Sequence, residues 1–242
     1  EVCGVVMADF YGDAAAQIRA VAPDKLIFIE PNFIELAGLP TNLTGLDLGG
    51  KGVYAAHYYL MEVHDGGDYD LDPSLIQYNI DLRAGEATAF DMPLFVGEYG
   101  GMASAAHFTQ YIDDNLDLFD GHRAGAAYWL YAEGDGFHIL DSEGQPKEFV
   151  EAYVRPYPRA TPGVIRSMVF DLETKVLDLT FETDATATEA GDLFVPTLHY
   201  PDGFGLAGCD APACTWDHDA AAQAVHFTVA EAGEYTFQLT LP

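Results

Sequence analysis

Basic residues are scarce in this chain. Ten Lys and Arg stand against 39 Asp and Glu in 242 residues, a formal net charge of -29. Phosphate backbones are held through Lys and Arg, so no nucleic-acid partner is expected. An anionic membrane surface would repel the chain for the same reason. Long apolar runs are also missing. None approaches the ~20 residues of a membrane-spanning helix, so no transmembrane segment is expected. No signal peptide is evident, and residue 1 is Glu rather than Met. The expectation is a processed or truncated product.

Cysteine is rarer still, with three in the chain. Cys209 and Cys214 flank a short Asp-Ala-Pro-Ala loop and can form a local disulfide. Cys3 is left over, which fits either a partner upstream or a plain buried thiol. The eight His show no HExxH spacing and join no Cys/His cluster, so no metal site and no cofactor is expected. The acidic loop from Asp65 to Asp72 lacks EF-hand spacing. No Gly-x-Ser-x-Gly is present, which argues against a serine nucleophile.

What remains is a globular chain. Apolar residues make up 49% and aromatics 13%, enough for one large domain or two modest ones. The acidic residues are spread along the whole sequence. They read as a highly solvated surface, or as adaptation to a high-salt environment where screening relieves self-repulsion. A secreted or extracellular location is expected.

The chain divides by pattern. Residues 12–22 predict a helix ended by Pro23. Lys25 to Glu30, Gly52 to Tyr59, Pro93 to Val96 and Ala124 to Ala132 are near-continuous apolar runs, as strands buried on both faces are. Helices are predicted over 73–88, from Ser104 through Phe119, and around 146–153. Strands alternating with helices imply right-handed parallel units. The polar and aromatic residues Glu30, His57, Tyr59, Glu98 and Trp129 gather at the C-terminal strand ends. In a TIM (β/α)8 barrel that face carries the active site. Only four units are visible, so the expected fold is the second half of an α/β barrel, over residues 1–157. The first half, upstream of residue 1, is its expected partner. A doubly wound open sheet competes, but no Gly-rich phosphate loop follows the first strand. After the Pro-rich join, short alternating segments at 165–171, 175–182, 193–199, 224–230 and 234–241 predict an all-β sandwich over residues 158–242.

A carboxylate closing a buried strand costs desolvation energy unless something holds it. Glu98 does so between Gly97 and Gly100, which read as room for a ligand to approach. Glycoside hydrolysis needs two carboxyl groups, roughly 5–5.5 Å apart when configuration is retained. His57 and Tyr59 lie two residues apart and project to one side. A Tyr hydroxyl donating to Glu98 would keep it ionised. Trp129 offers a flat surface for a sugar ring. Glu30 also closes a strand, and Ile29-Glu30-Pro31-Asn32 superficially resembles an acid/base motif. Glu30 and Asn32 are read as polar lining of a substrate site, Glu30 also as a rival catalytic carboxylate.

Phe10-Tyr11, Pro23-Asp24-Lys25-Leu26-Ile27-Phe28-Ile29-Glu30-Pro31, Tyr54-Ala55-Ala56-His57-Tyr58-Tyr59 and Pro93-Leu94-Phe95-Val96-Gly97-Glu98-Tyr99-Gly100 together resemble family 5 of the glycoside hydrolases. Within it the likeness is to endoglycoceramidase-type members, and the join from Arg155 to Gly163 is similar too. The resemblance implies a barrel followed by a β-sandwich and a retaining β-glycoside hydrolase acting on a β-glycoside or glycolipid. It implies Glu98 as nucleophile, His57 and Tyr59 as its supports and Trp129 as sugar platform. The family's acid/base Glu follows an Asn, and this chain contains no Asn-Glu pair. Glu1 is the one carboxylate near that place, followed by Val2 rather than Pro. The expectation is an acid/base upstream, with Glu1 as the alternative. The competing function is a non-catalytic glycan- or glycolipid-binding module.

Overall fold

A computed structural model describes residues 2–32, 38–184 and 190–242. The chain packs as two compact units, Glu1–Lys147 and Glu148–Pro242.

The first unit opens with α1 (Val2–Val21), ten residues longer at its start than the sequence predicts. β1 (Ile27–Ile29) and β2 (Gly52–Tyr54) then pair in parallel, Ile29 opposite Tyr54. Among the described residues no helix joins them, so this first unit departs from simple strand–helix alternation. α2 (Met61–His64) and α3 (Ser74–Ala89) lead to β3 (Phe95–Tyr99), and α4 (Phe108–Gly121) to β4 (Gly125–Tyr128), parallel to β3. β2 and β3 are joined by parallel bridges at Tyr54–Leu94 and His57–Glu98. The four strands therefore lie side by side in chain order. That is the order of a barrel wall, whereas a doubly wound sheet reverses direction at its switch point.

Helix packing follows side-chain period. α4 buries Phe108, Tyr111, Ile112, Asn115 and Phe119 at spacings of three and four. It starts at Phe108 rather than Ser104 because His107 has φ 60°, outside helical geometry. α3 buries Arg83, whose guanidinium reaches Glu86 at 2.7 Å and the Leu39 carbonyl at 2.7 Å. Tyr54 donates to the same Glu86 at 2.7 Å, which ties β2 to α3. A buried cation needs such partners.

The second unit starts with α5 (Val150–Tyr153) and continues as β5 (Tyr157–Ala160), β6 (Val164–Asp171), β7 (Val176–Thr183), β8 (Gly191–Phe194), β9 (Gly205–Ala207), β10 (Cys214–Asp219), β11 (Ala224–Val229) and β12 (Gly233–Thr240). Two four-stranded antiparallel sheets result, in the orders β10-β11-β8-β5 and β6-β7-β12-β9. β7 alternates cleanly, with Leu177, Leu179 and Phe181 inward. Phe181 meets Phe227 of the facing sheet at 5.6 Å between ring centroids. Cys209 and Cys214 are disulfide-bonded.

Three strands escaped the sequence reading: β5, β9 and β10. All three are sheet edges. β5 carries Pro158, which an edge tolerates because it needs fewer ladder donors. β10 buries only Cys214, so it shows no period of two.

Candidate active site

The site sits where β2 and β3 run out. Beyond β2 the chain stays extended. Tyr58 N–H donates to the Glu98 carbonyl at 2.8 Å and Gly97 N–H to the Ala56 carbonyl at 2.9 Å. This ladder sets His57 directly beside Glu98. The pairing of β3 with β4 shifts register between Val96 and Tyr99, the kind of irregularity that re-aims a side chain. Val96 and Tyr99 are buried, Tyr99 edge-on to Phe119 of α4, while Glu98 keeps 30% of its side chain exposed.

Two glycines shape the place. A Cβ on Gly97 would lie 2.8 Å from His57 Cδ2 and 3.0 Å from the Ala55 carbonyl oxygen. The room beside Glu98 is thus taken by the His57 ring. Gly100, at φ 151°, lets β3 approach the backbone of Trp129; a Cβ there would lie 2.7 Å from the Trp129 carbonyl oxygen.

Tyr59, almost fully buried, donates its hydroxyl to Glu98 Oε2 at 2.8 Å. Its ring is held edge-on by His64 at 5.3 Å and Phe137 at 6.2 Å. Burial, and then the hydrogen bond to Glu98, push the Tyr59 hydroxyl far above its ordinary range, so it remains a donor. His57 Nδ1 lies 3.4 Å from Glu98 Oε2 and 3.1 Å from Glu30 Oε1. Burial raises the Glu30 carboxyl above the usual carboxylate range; His57 pulls it back and the charge of Glu98 adds to the rise.

Four of the sequence-predicted residues therefore meet: Glu30, His57, Tyr59 and Glu98. Trp129 follows β4, with its backbone N–H donating to the Tyr99 carbonyl at 2.9 Å and the residue 47% exposed. Asn32 pairs with Asn42, Nδ2 to Oδ1 at 3.4 Å. Glu1 lies outside the described residues. Sequence reasoning passed over Tyr11, whose hydroxyl donates to the Glu30 carbonyl and ties α1 to the end of β1. Among the described residues no group of three or more His, Cys, Asp or Glu is arranged to hold a metal ion. Nor is any described helix long and apolar enough to cross a membrane.

A parallel half-barrel wall with a Tyr-held carboxylate at its C-terminal rim, and a separate β-sandwich, define a class. The family model described as cellulase (glycosyl hydrolase family 5) matches residues 6–135, and the glycoside hydrolase family 5 C-terminal domain matches residues 155–240. The chain belongs to glycoside hydrolase family 5. Within the family it is similar to endoglycoceramidase I of Rhodococcus hoagii (strain 103S), 26% identical over 209 residues, which cover 78% of this chain and 39% of that one. Its fold is shared with endo-glycoceramidase II from Rhodococcus sp., TM-score 0.82 at 23% identity over 98% of this chain and 55% of that one. That protein has been solved as a lactosyl-enzyme intermediate and with ganglioside GM3. Sterylglucosidase 1 of Cryptococcus neoformans shares the fold at TM-score 0.72 and 15% identity, over 97% of this chain and 44% of that one. The chain thus spans from about two fifths to just over half the length of these proteins.

Proposed function

We propose that this chain supplies the nucleophile side of a retaining β-glycosidase that cuts the glycan–lipid bond of glycolipids. The observation that carries the reading is Glu98 Oε2, gripped by the Tyr59 hydroxyl at 2.8 Å with His57 Nδ1 at 3.4 Å. The Tyr59 hydroxyl donates to Oε2 and His57 Nδ1 stands beside the same oxygen, which leaves Oε1 as the proposed attacking atom. In the proposed cycle Glu98 Oε1 attacks the anomeric carbon. The bond to the leaving oxygen breaks with its electron pair, and a general acid protonates that oxygen. Water then hydrolyses the glycosyl ester. Trp129, half exposed at the same rim, is the proposed sugar platform. The likeness to endoglycoceramidases supports glycolipid as the substrate class.

The general acid is assigned to the N-terminal half of the barrel, outside this chain. The part-length match to relatives supports this, as do the exposed Leu26 and Phe28 on and beside β1, where a further strand and helix would cover them. The Cys209–Cys214 disulfide supports a secreted or extracellular location.

The test is Glu98→Gln in the full-length protein, assayed on a glycosphingolipid and on aryl β-glycosides. Turnover should fall nearly to background while the variant still binds substrate. A 2-fluoro glycoside should label Glu98 of the wild type, read by peptide mass spectrometry. Near-normal hydrolysis by the variant rejects the assignment. Unlabelled Glu98 with no hydrolysis by the wild type would favour a glycan-binding module instead.

A further inference from the structure

Two carboxylates meet at one imidazole nitrogen. His57 Nδ1 lies 3.1 Å from Glu30 Oε1 and 3.4 Å from Glu98 Oε2. One N–H serves one acceptor well, or two acceptors at reduced strength. The ring has little freedom to choose by moving, because its Cδ2 and Nε2 edge is seated against Gly97. Glu98 is fixed on its other side by Tyr59. Glu30 is held through its backbone, where the Tyr11 hydroxyl from α1 meets its carbonyl.

We infer that Glu30 is a positioning residue that competes with Glu98 for the His57 Nδ1–H in the free enzyme and takes it over when Glu98 becomes an ester. The inference rests on the reading of Glu98 as nucleophile. When Glu98 Oε1 bonds to the anomeric carbon, the leaving oxygen departs with the electron pair of the broken bond and takes a proton from the general acid. Glu98 then has no negative charge, and Oε2 becomes a weak ester carbonyl acceptor. Glu30 is the anion left beside His57, and the hydrogen bond shifts to it without any proton changing owner. Hydrolysis of the ester returns the charge to Glu98 and restores the competition. The direction agrees with the electrostatics of Glu30, whose carboxyl is raised by burial and further by the charge of Glu98. Esterification removes that second contribution and favours Glu30 as the anion. The polar and charged groups facing His57 are Glu30 beyond β1, Glu98 on β3, and Tyr59 through its bond to Glu98.

The experiment is Glu30→Gln in the full-length protein, with Glu30→Asp beside it. Gln keeps the size and removes the anion. The Gln carbonyl is a weaker acceptor than a carboxylate, so Glu98 becomes the one anionic acceptor at His57 Nδ1, and a neighbouring negative charge is gone. Both changes favour ionised Glu98. The acid limb of kcat/KM should move to lower pH by about half a unit or more. The glycosylation burst on an activated aryl glycoside should slow about two- to threefold, because a better-stabilised carboxylate is a weaker nucleophile and half a unit allows no more. Glu30→Asp, which keeps the anion, should leave the acid limb near that of the wild type. A merely structural role would lower kcat/KM at every pH and leave the limb in place. A Gln variant with wild-type circular dichroism and an unmoved acid limb overturns the inference. The Glu30 side chain is 45% exposed, so the substitution leaves the core intact. A second measurement needs no variant. In the wild type trapped as its 2-fluoroglycosyl ester, the hydrogen-bonded His57 Nδ1 proton should persist by NMR, and its loss counts against the inference. If Glu98→Gln turns over normally, the nucleophile assignment falls. If that variant is inactive while the Glu30→Gln limb stays put, only the role of Glu30 falls.

Discussion

Replacing Tyr59 by Phe deletes one hydroxyl and leaves almost everything else in place. The ring keeps its edge contacts with His64 and Phe137, and its site is nearly closed to solvent. What disappears is the 2.8 Å donor to Glu98 Oε2. A hydrogen bond to a charged group contributes about 1.5–3 kcal/mol. Glu98 is 30% exposed, so water replaces part of that contact and the lower end applies. The charge on Glu98 falls as it attacks, so the loss comes from the carboxylate no longer being aimed; the expected fall in kcat/KM is roughly 10- to 30-fold. The sign of the pH effect follows from the donor. A donor to a carboxylate favours its charged form, so without the Tyr59 hydroxyl the acid limb of kcat/KM is expected at higher pH, opposite to the direction expected for Glu30→Gln. The thermal midpoint should change little, because no buried donor is orphaned and no cavity larger than an oxygen is left. The assay is initial rates against pH on an aryl β-glycoside, with a thermal melt on the same preparation. A kcat/KM within twofold of wild type and an unmoved acid limb would show that Tyr59 does not support Glu98, and the case for Glu98 would lose its main contact.

Gly97→Ala tests the seat of His57. The new methyl lies 2.8 Å from the ring and 3.0 Å from a backbone carbonyl that cannot yield cheaply, so a stability loss of about 1–3 kcal/mol and a fall in kcat/KM of order 10²-fold are expected. Wild-type kinetics with an unchanged melt would mean the ring is not seated there. In the second unit, His199 is buried and donates Nε2–H to the Val154 carbonyl at 2.6 Å. Burial depresses its imidazole below the ordinary value of 6.5; the bond to the Val154 carbonyl partly offsets this, Lys175 adds to the depression and Glu151 opposes it. A depressed value in the fold means its stability contribution is complete above about pH 6.5 and is lost as pH falls towards the folded value. The thermal midpoint of this unit should fall between pH 7.5 and 5.5, and His199→Gln should flatten that slope; parallel slopes would contradict it.

The parts of the fold that show in the sequence are those with apolar runs or a clean alternation. β1 to β4 read as apolar runs, although only β2 is buried throughout and Phe28 of β1 and half of β4 are exposed. β7 and β12 lie inside a sheet and alternate with period two. The parts that do not show are places where one side is open or where tertiary packing overrides pattern. β5, β9 and β10 are edges. Asn115 takes a fully buried position on α4 by donating to the Tyr111 carbonyl at 2.7 Å. The early part of α1 was unread, although its backbone is helical from Val2. In the site, the residue types were legible because a carboxylate, an imidazole and an aromatic at strand ends are chemically conspicuous. Their distances were not. Residues 30, 57 and 98 come from three strands, and only the ladder from Ala56 to Tyr58 and the bare Gly97 bring one imidazole between two carboxylates.

The scarcity of cations bears on how the proposed nucleophile is held. With ten basic residues in the chain, the described surroundings of Glu98 offer a phenol and an imidazole instead of Lys or Arg. A fixed cation against both oxygens would hold the carboxylate ionised, but it would also stabilise the ground state that must attack. Here the Tyr59 hydroxyl and the His57 ring both approach Oε2, so Oε1 remains available for bond formation in the proposed cycle. The cost is that a nearby second carboxylate, Glu30, is not neutralised by any guanidinium or ammonium in the described site. On the inference drawn above, His57 is what both carboxylates share, and that sharing responds to whether Glu98 is an anion or an ester. The proposed positioning of the nucleophile and its proposed sensitivity to its own chemical state then have one source, an imidazole wedged against a glycine between two acids.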